Sequence, residues 1–262
     1  LDGFVILPGD IEQVYARIRT RARQIAARKP PPFFYADFPQ VIAFSNHFFK
    51  TDPVVRSLLD FISIRLDENL GHGLKHAILV SLDAGSLMKI ECDREGFPPD
   101  AAVRRLRIVQ CAGLLHDMKR KEPEHAFAGS QYARQVLKSY PFSPHEIEDI
   151  CRAIRNHEAF KRTIPLDTRE GILVSDCLYD ADKFRWGPDN FKDMVWDMMI
   201  SLKIPLSQFM AHYPQSLEKI AAIKTTFRTL TGQKYGPQFI DAGLAIGGEL
   251  YAVIQKNFSG YL

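Results

Sequence analysis

At 262 residues, 46% hydrophobic and 25% charged, the chain can bury one large core or two small ones, and its net charge of +3 lacks the basic excess of a dedicated nucleic-acid binder. No apolar run approaches the roughly 18 residues of a membrane span, so neither nucleic acid nor membrane is an expected partner. The cysteines (Cys92, Cys111, Cys151, Cys177) form no CxxC pair, which predicts buried free thiols in a reducing, cytoplasmic compartment, and the opening LDGFVILPGD lacks the basic leader of a signal peptide.

Helical periodicity runs through the chain and strand signals are scarce. A helix is predicted from Asp10 to about Arg28, with Ile11, Val14, Ile18 and Ile25 on one stripe and Arg17, Arg21 and Arg28 on a solvated face. Lys29-Pro30-Pro31-Pro32 stops it. The aromatic stretch 33–50 reads as core packing, and a second helix runs from Asp52 to about Glu68. Further helices are predicted over 72–91, from after Pro98-Pro99 to His116-Asp117, and over 124–139. Ser143-Pro144-His145-Glu146 is a capping box with proline in the first turn, opening a helix to about Glu158. The next covers 168–185, Gly187-Pro188 breaks it, and Asp189 or Asn190 caps its successor. Helices near 190–202, 214–230 and 237–257 finish the chain, with Pro205 and Pro214 as punctuation. With no linker or repeat, the expected architecture is one all-α domain.

The stretch Cys111 to Lys121, CAGLLHDMKRK, ends an apolar run in an adjacent imidazole and carboxylate. A lone His-Asp pair is an ordinary helix-end feature. Here, however, His76, His125 and His157 each fall along what reads as a core-facing stripe. Buried imidazoles need partners, and a shared metal centre supplies one to all of them.

The order His76, His116-Asp117, His125, His157, Asp182 resembles the HD superfamily of metal-dependent phosphohydrolases. GHGLKHAILV is similar to its first-ligand helix, EHAFAGSQYARQVL and EIEDICRAIRNHE to the stretch with two further histidines, and LYDADKF to its closing Ala-Asp segment. The resemblance covers 66–186 and implies a metal-binding core there, with helical extensions at 1–65 and 187–262. It implies that His76, His116, Asp117 and Asp182 bind a first divalent ion. It also implies that His125 and His157 hold a second, with Asp117 between the two. Ligation by His and carboxylate without thiolate suits iron or manganese, with cobalt, nickel, zinc or magnesium also compatible. Spacing alone leaves the last ligand open among Asp182, Asp180 and Asp176; the resemblance favours Asp182.

Three departures are visible. Arg120 stands where the family often has Lys, Leu79 where it often has Arg, and no GYP follows His157. The last argues against cyclic-di-GMP hydrolysis. The implied activity is hydrolysis of a phosphate ester, of a nucleotide or related small molecule, by a metal-activated hydroxide. Asp117, Arg120 and His72 would be its catalytic residues. His72 would donate a proton to the leaving group or support a ligand; its alternative is a helix-start residue in solvent. Lys119, Lys121, Lys161, Arg162 and Lys183 are further candidate phosphate-binding cations, each more readily read as surface charge. A catalytically silent regulatory or nucleotide-binding HD-like domain is the alternative function.

Overall fold

The computed structural model describes residues 8–66 and 73–262, and His72 lies outside them. Among the described residues there is no β-strand, so the chain is all-α as the periodicity predicts. The helices are α1 (Pro8–Ala26), α2 (Phe34–Asp37), α3 (Pro39–Thr51), α4 (Pro53–Ser63), α5 (Leu74–Glu95), α6 (Pro99–Leu115), α7 (His125–Leu137), α8 (Pro144–Arg155), α9 (Arg169–Phe184), α10 (Val195–Ser201), α11 (Leu206–Ala222) and α12 (Leu230–Asn257). Among the described residues no helix is long and apolar enough to cross a membrane. All four cysteines are free and buried.

Local chemistry sets the helix ends around the centre of the fold. Gly96 ends α5 in a left-handed conformation (φ 71°), which a residue without Cβ adopts at little cost. Prolines open α6 and α8, and the Ser143–Glu146 capping box forms with both of its hydrogen bonds. Thr168 caps α9 by accepting from the Gly171 amide. Two prolines depart from expectation. Pro214 lies inside α11 and Pro237 inside α12, so α11 starts at Leu206 and α12 at Leu230. Each proline gives up one intrahelical hydrogen bond. The buried residues that flank them, Met210, Tyr213 and Ile220 in α11 and Tyr235, Phe239 and Ile240 in α12, hold the helices in register by tertiary packing.

The central pair is α5 and α6, which pack along their length, with α9 and α3 also against α5. Their backbones nearly touch. A Cβ on Gly113 would lie 2.8 Å from Ser81 Cα, and Ser81 Oγ bridges the carbonyls of Ala77 (2.8 Å) and Gln110 (3.0 Å). On the other side α8 packs against α6, α7 and α9.

Both chain extensions pack on this centre. Phe34, fully buried, meets Phe184 of α9 and Tyr235 and Phe239 of α12, and Phe184 stacks on Phe239 at 4.1 Å. The aromatic run 33–50 is therefore packing in the main, although Phe33 is exposed. Tyr15 of α1 donates to the Ile204 carbonyl (2.8 Å), and Arg19 pairs with Asp193 and Asp197. Beneath them Arg185 is buried against Asp83, Tyr35 and Asp189, which compensate its charge from three separate elements.

Candidate metal centre

Six side chains converge where helices end. His76 lies in the first turn of α5, His116 and Asp117 directly follow α6, and His125 opens α7. Asp182 is in the last turn of α9. His157 sits two residues past the end of α8, not on its stripe as the periodicity suggests. Asn156 holds it there: its side chain accepts from the Ile164 amide (2.7 Å) and donates to the Ile164 carbonyl (2.9 Å), closing the loop behind His157. Arg228 donates to the Asn156 carbonyl (2.9 Å). Sequence reasoning passed over Asn156, whose one signal is an amide at a helix end directly before a candidate ligand.

The six form two groups, His76–His116–Asp182 and Asp117–His125–His157, and within each the potential ligand atoms lie within 4.8 Å of one another. All are buried except His125, which is half-buried. Asp117 faces both groups. Its Oδ2 is 3.4 Å from His116 Nε2 and 3.8 Å from His76 Nε2; its Oδ1 is 3.4 Å from His157 Nε2 and 3.8 Å from His125 Nε2. Asp182 Oδ1 is 3.3 Å from His76 Nε2 and 3.7 Å from His116 Nε2.

The donor chemistry fits a cation. His116 Nδ1 lies 2.7 Å from the Gly113 carbonyl and His157 Nδ1 2.6 Å from the Ile154 carbonyl. A carbonyl only accepts, so each Nδ1 carries a proton, and each ring turns its Nε2, the nitrogen free to ligate, toward the centre. Arg120 Nη1 donates to His125 Nε2 at 2.8 Å, so that nitrogen is an acceptor too. His125 Nε2 and His157 Nε2 then face each other at 3.3 Å with Asp117 Oδ1 beside them. Two imidazole nitrogens and a carboxylate oxygen so placed are a donor set that a divalent metal would satisfy at once. Burial, the Arg120 charge and His157 push the His125 pKa down to about 4, which keeps this ring a neutral donor at ordinary pH. Burial also opposes charge on His116, but Asp117 and Asp182 outweigh it and raise its pKa.

The structure separates the three candidate aspartates. Asp182 faces His76 and His116, and although burial opposes its charge, Lys183 and His76 hold its carboxyl well below the usual range. Asp180 points elsewhere, accepting from the Arg228 and Thr229 amides (2.8 Å each) and Thr229 Oγ1 (2.7 Å) at the start of α12. Asp176 lies 3.9 Å from Arg228 and joins neither group.

Among the candidate cations, Lys183 is not a surface charge. It is buried, with Nζ 2.5 Å from Asp182 Oδ2 and over the rings of Tyr179 and Trp186. Lys121, Lys161 and Arg162 are exposed, and Lys119 pairs with Glu122. Arg120 reaches both His125 and, at 4.0 Å, Asp117.

No curated protein matches the chain. The crystal structure of a predicted HD superfamily hydrolase from an uncultured Thermotogales bacterium is similar at 19% identity and a TM-score of 0.44, covering 82% of this chain and 95% of that one. Residues 74–187 match the HD domain family, and that span contains all six converging side chains.

Proposed function

We propose that the protein is a metal-dependent phosphohydrolase that cleaves a phosphate ester of a nucleotide or another small molecule. The observation that carries this reading is the pair of three-residue groups with Asp117 presenting one oxygen to each. His76, His116 and Asp182 would hold one divalent ion and His125 and His157 another, with Asp117 shared. Ions bound there supply Lewis acidity toward a phosphoryl oxygen and lower the pKa of water. Iron or manganese suits a set of imidazoles and carboxylates without thiolate.

The chain's own groups do the rest. The Gly113 and Ile154 carbonyls fix two imidazole tautomers, so the ligand nitrogens need no reorganisation. Arg120 and Lys183 place a cation beside each group, one against His125 and one against Asp182. Positive charge there favours a phosphate dianion and the charge that builds on its oxygens during transfer. Arg120 is about one-third exposed and offers the planar fork that suits a phosphoryl group, so it can exchange His125 for substrate. A catalytically silent domain would have no need of six converging donors.

Elemental analysis of the purified protein, followed by a panel of phosphate esters with added manganese or iron, tests the reading. Bound metal with turnover that chelation abolishes is expected. Metal-loaded protein that hydrolyses no ester on the panel would count against hydrolysis and for the regulatory alternative.

A further inference from the structure

A cleft of about 440 Å³ runs between residues 186–204 and α11; none of the six converging side chains lines it, but Arg120, which contacts His125, does. Its wall is built from Trp186, Phe191, Met194, Met198, Phe209 and Tyr213. The polar handles nearby are already used: Trp196 Nε1 donates to the Phe191 carbonyl (2.6 Å), and the Tyr213 hydroxyl to the Gly247 carbonyl (3.0 Å). Gln208, His212, Ser216 and Lys219 also line the cleft but are exposed, and Asn190 is a half-buried polar residue of its lining. The interior therefore offers few groups to read the edge of a base or the hydroxyls of a sugar. Three of the six methionines of the chain, Met194, Met198 and Met199, line it, and thioether side chains adapt to flexible apolar ligands.

One lining cation belongs to the candidate centre. Arg120 lines the cleft, and its Nη1 is 2.8 Å from His125 Nε2. Trp186 lines it as well, and the Lys183 ammonium over that ring is 2.5 Å from Asp182. One cation thus adjoins each ligand group, and the apolar wall begins where they end. An occupant that satisfies both ends is anionic at one and apolar along the rest.

We propose that the substrate is an amphiphilic phosphate ester, its phosphoryl group at Arg120 and the metal centre and its alkyl or aryl substituent along the 186–220 cleft. The proposal rests on the phosphohydrolase reading and narrows it. For a monoester, one water is consumed, the phosphorus–oxygen ester bond breaks, and inorganic phosphate and a lipophilic alcohol leave.

Linear alkylphosphonates, methyl to octyl, test the cleft without turnover, because their carbon–phosphorus bond resists hydrolysis. Their affinity for the manganese-loaded full chain is measured by titration calorimetry. We expect a rise of about threefold per methylene, the increment for apolar groups leaving water for a partly open wall, so octylphosphonate should bind on the order of a thousandfold more tightly than methylphosphonate. Met198→Asp should flatten the series, with Met198→Gln as a milder variant should the first unfold. Arg120→Ala should weaken every member by a common factor. A flat series would overturn the proposal. So would octanol binding as tightly as octylphosphonate, which would detach the cleft from the anion site, or adenosine 5′-phosphate binding more tightly than hexylphosphonate. Turnover of methyl phosphate beside a flat series would remove the amphiphile and leave the phosphohydrolase. A steep series without turnover of octyl phosphate would support the ligand class and overturn hydrolysis.

Discussion

The double substitution His125→Ala, His157→Ala puts the two-group arrangement to a quantitative test. It removes two of the three donors of one group and leaves His76, His116, Asp182 and Asp117 Oδ2 in place. In metal-free protein two costs oppose one gain. His157 is 2% exposed, so its loss leaves a void, and the Ile154 carbonyl loses its side-chain partner. In return, two acceptors held 3.3 Å apart no longer face each other. The net destabilisation should stay within about 1–3 kcal/mol. Metal separates the proteins further. An ion supplied at 100 times its dissociation constant stabilises the native state by about 2.7 kcal/mol per site. Wild type should gain about 5 kcal/mol from two sites and the variant half of that. For a domain of this size each kcal/mol raises the melting temperature by about 2–4 °C. Thermal unfolding with and without manganese, beside elemental analysis, should show two ions and the larger shift in wild type, one ion and half the shift in the variant. Equal shifts and equal metal content would refute the reasoning and make His125 and His157 ordinary core residues.

Other expectations follow from single contacts. Asp182→Ala should lower metal content and abolish activity. Asp180→Ala should keep the metal and cost about 2–3 kcal/mol of stability, because two amides and a hydroxyl at the start of α12 lose their acceptor; chemical denaturation beside metal analysis separates the two. The depressed His125 pKa of about 4 means that the unfolded chain binds more protons between pH 6.5 and 4, so metal-free protein should lose stability as the pH falls through that window. After allowance for partial exposure the loss due to His125 should be about 1–2 kcal/mol, read as the difference between wild type and His125→Gln in urea titrations at both pH values. Gly113→Ala would set a Cβ 2.6 Å from Ser81 Oγ and 2.8 Å from Ser81 Cα, forcing α5 and α6 apart. It should cost about 1–3 kcal/mol or more and weaken metal binding with it, since His76 and His116 ride on those helices.

Much of this was legible in the sequence because it is local. Periodicity marks the helices, Ser143 to Glu146 marks a start that forms as written, and the ordered histidines and aspartates mark the convergence. The remainder depends on partners distant in the chain. Pro214 and Pro237 read as breaks, yet packing carries α11 and α12 through them. Lys183 reads as surface charge, but Asp182 and two aromatic rings make its burial tolerable. Spacing could not choose between Asp180 and Asp182, because the choice depends on what waits on each side of α9: two imidazoles on one, the first amides of α12 on the other.

That last arrangement bears on how quickly the centre can open. Residues two apart on a helix project about 200° around the axis, so α9 is fastened on nearly opposite sides. A turn or slide of α9 would carry Asp182 away from His76 and His116. Either movement tears Asp180 from the Arg228 and Thr229 amides and frays the start of a 28-residue helix. An ion seated among these donors would be latched as well as bound wherever its escape requires α9 to move, and its residence time would then outlast what its affinity alone sets.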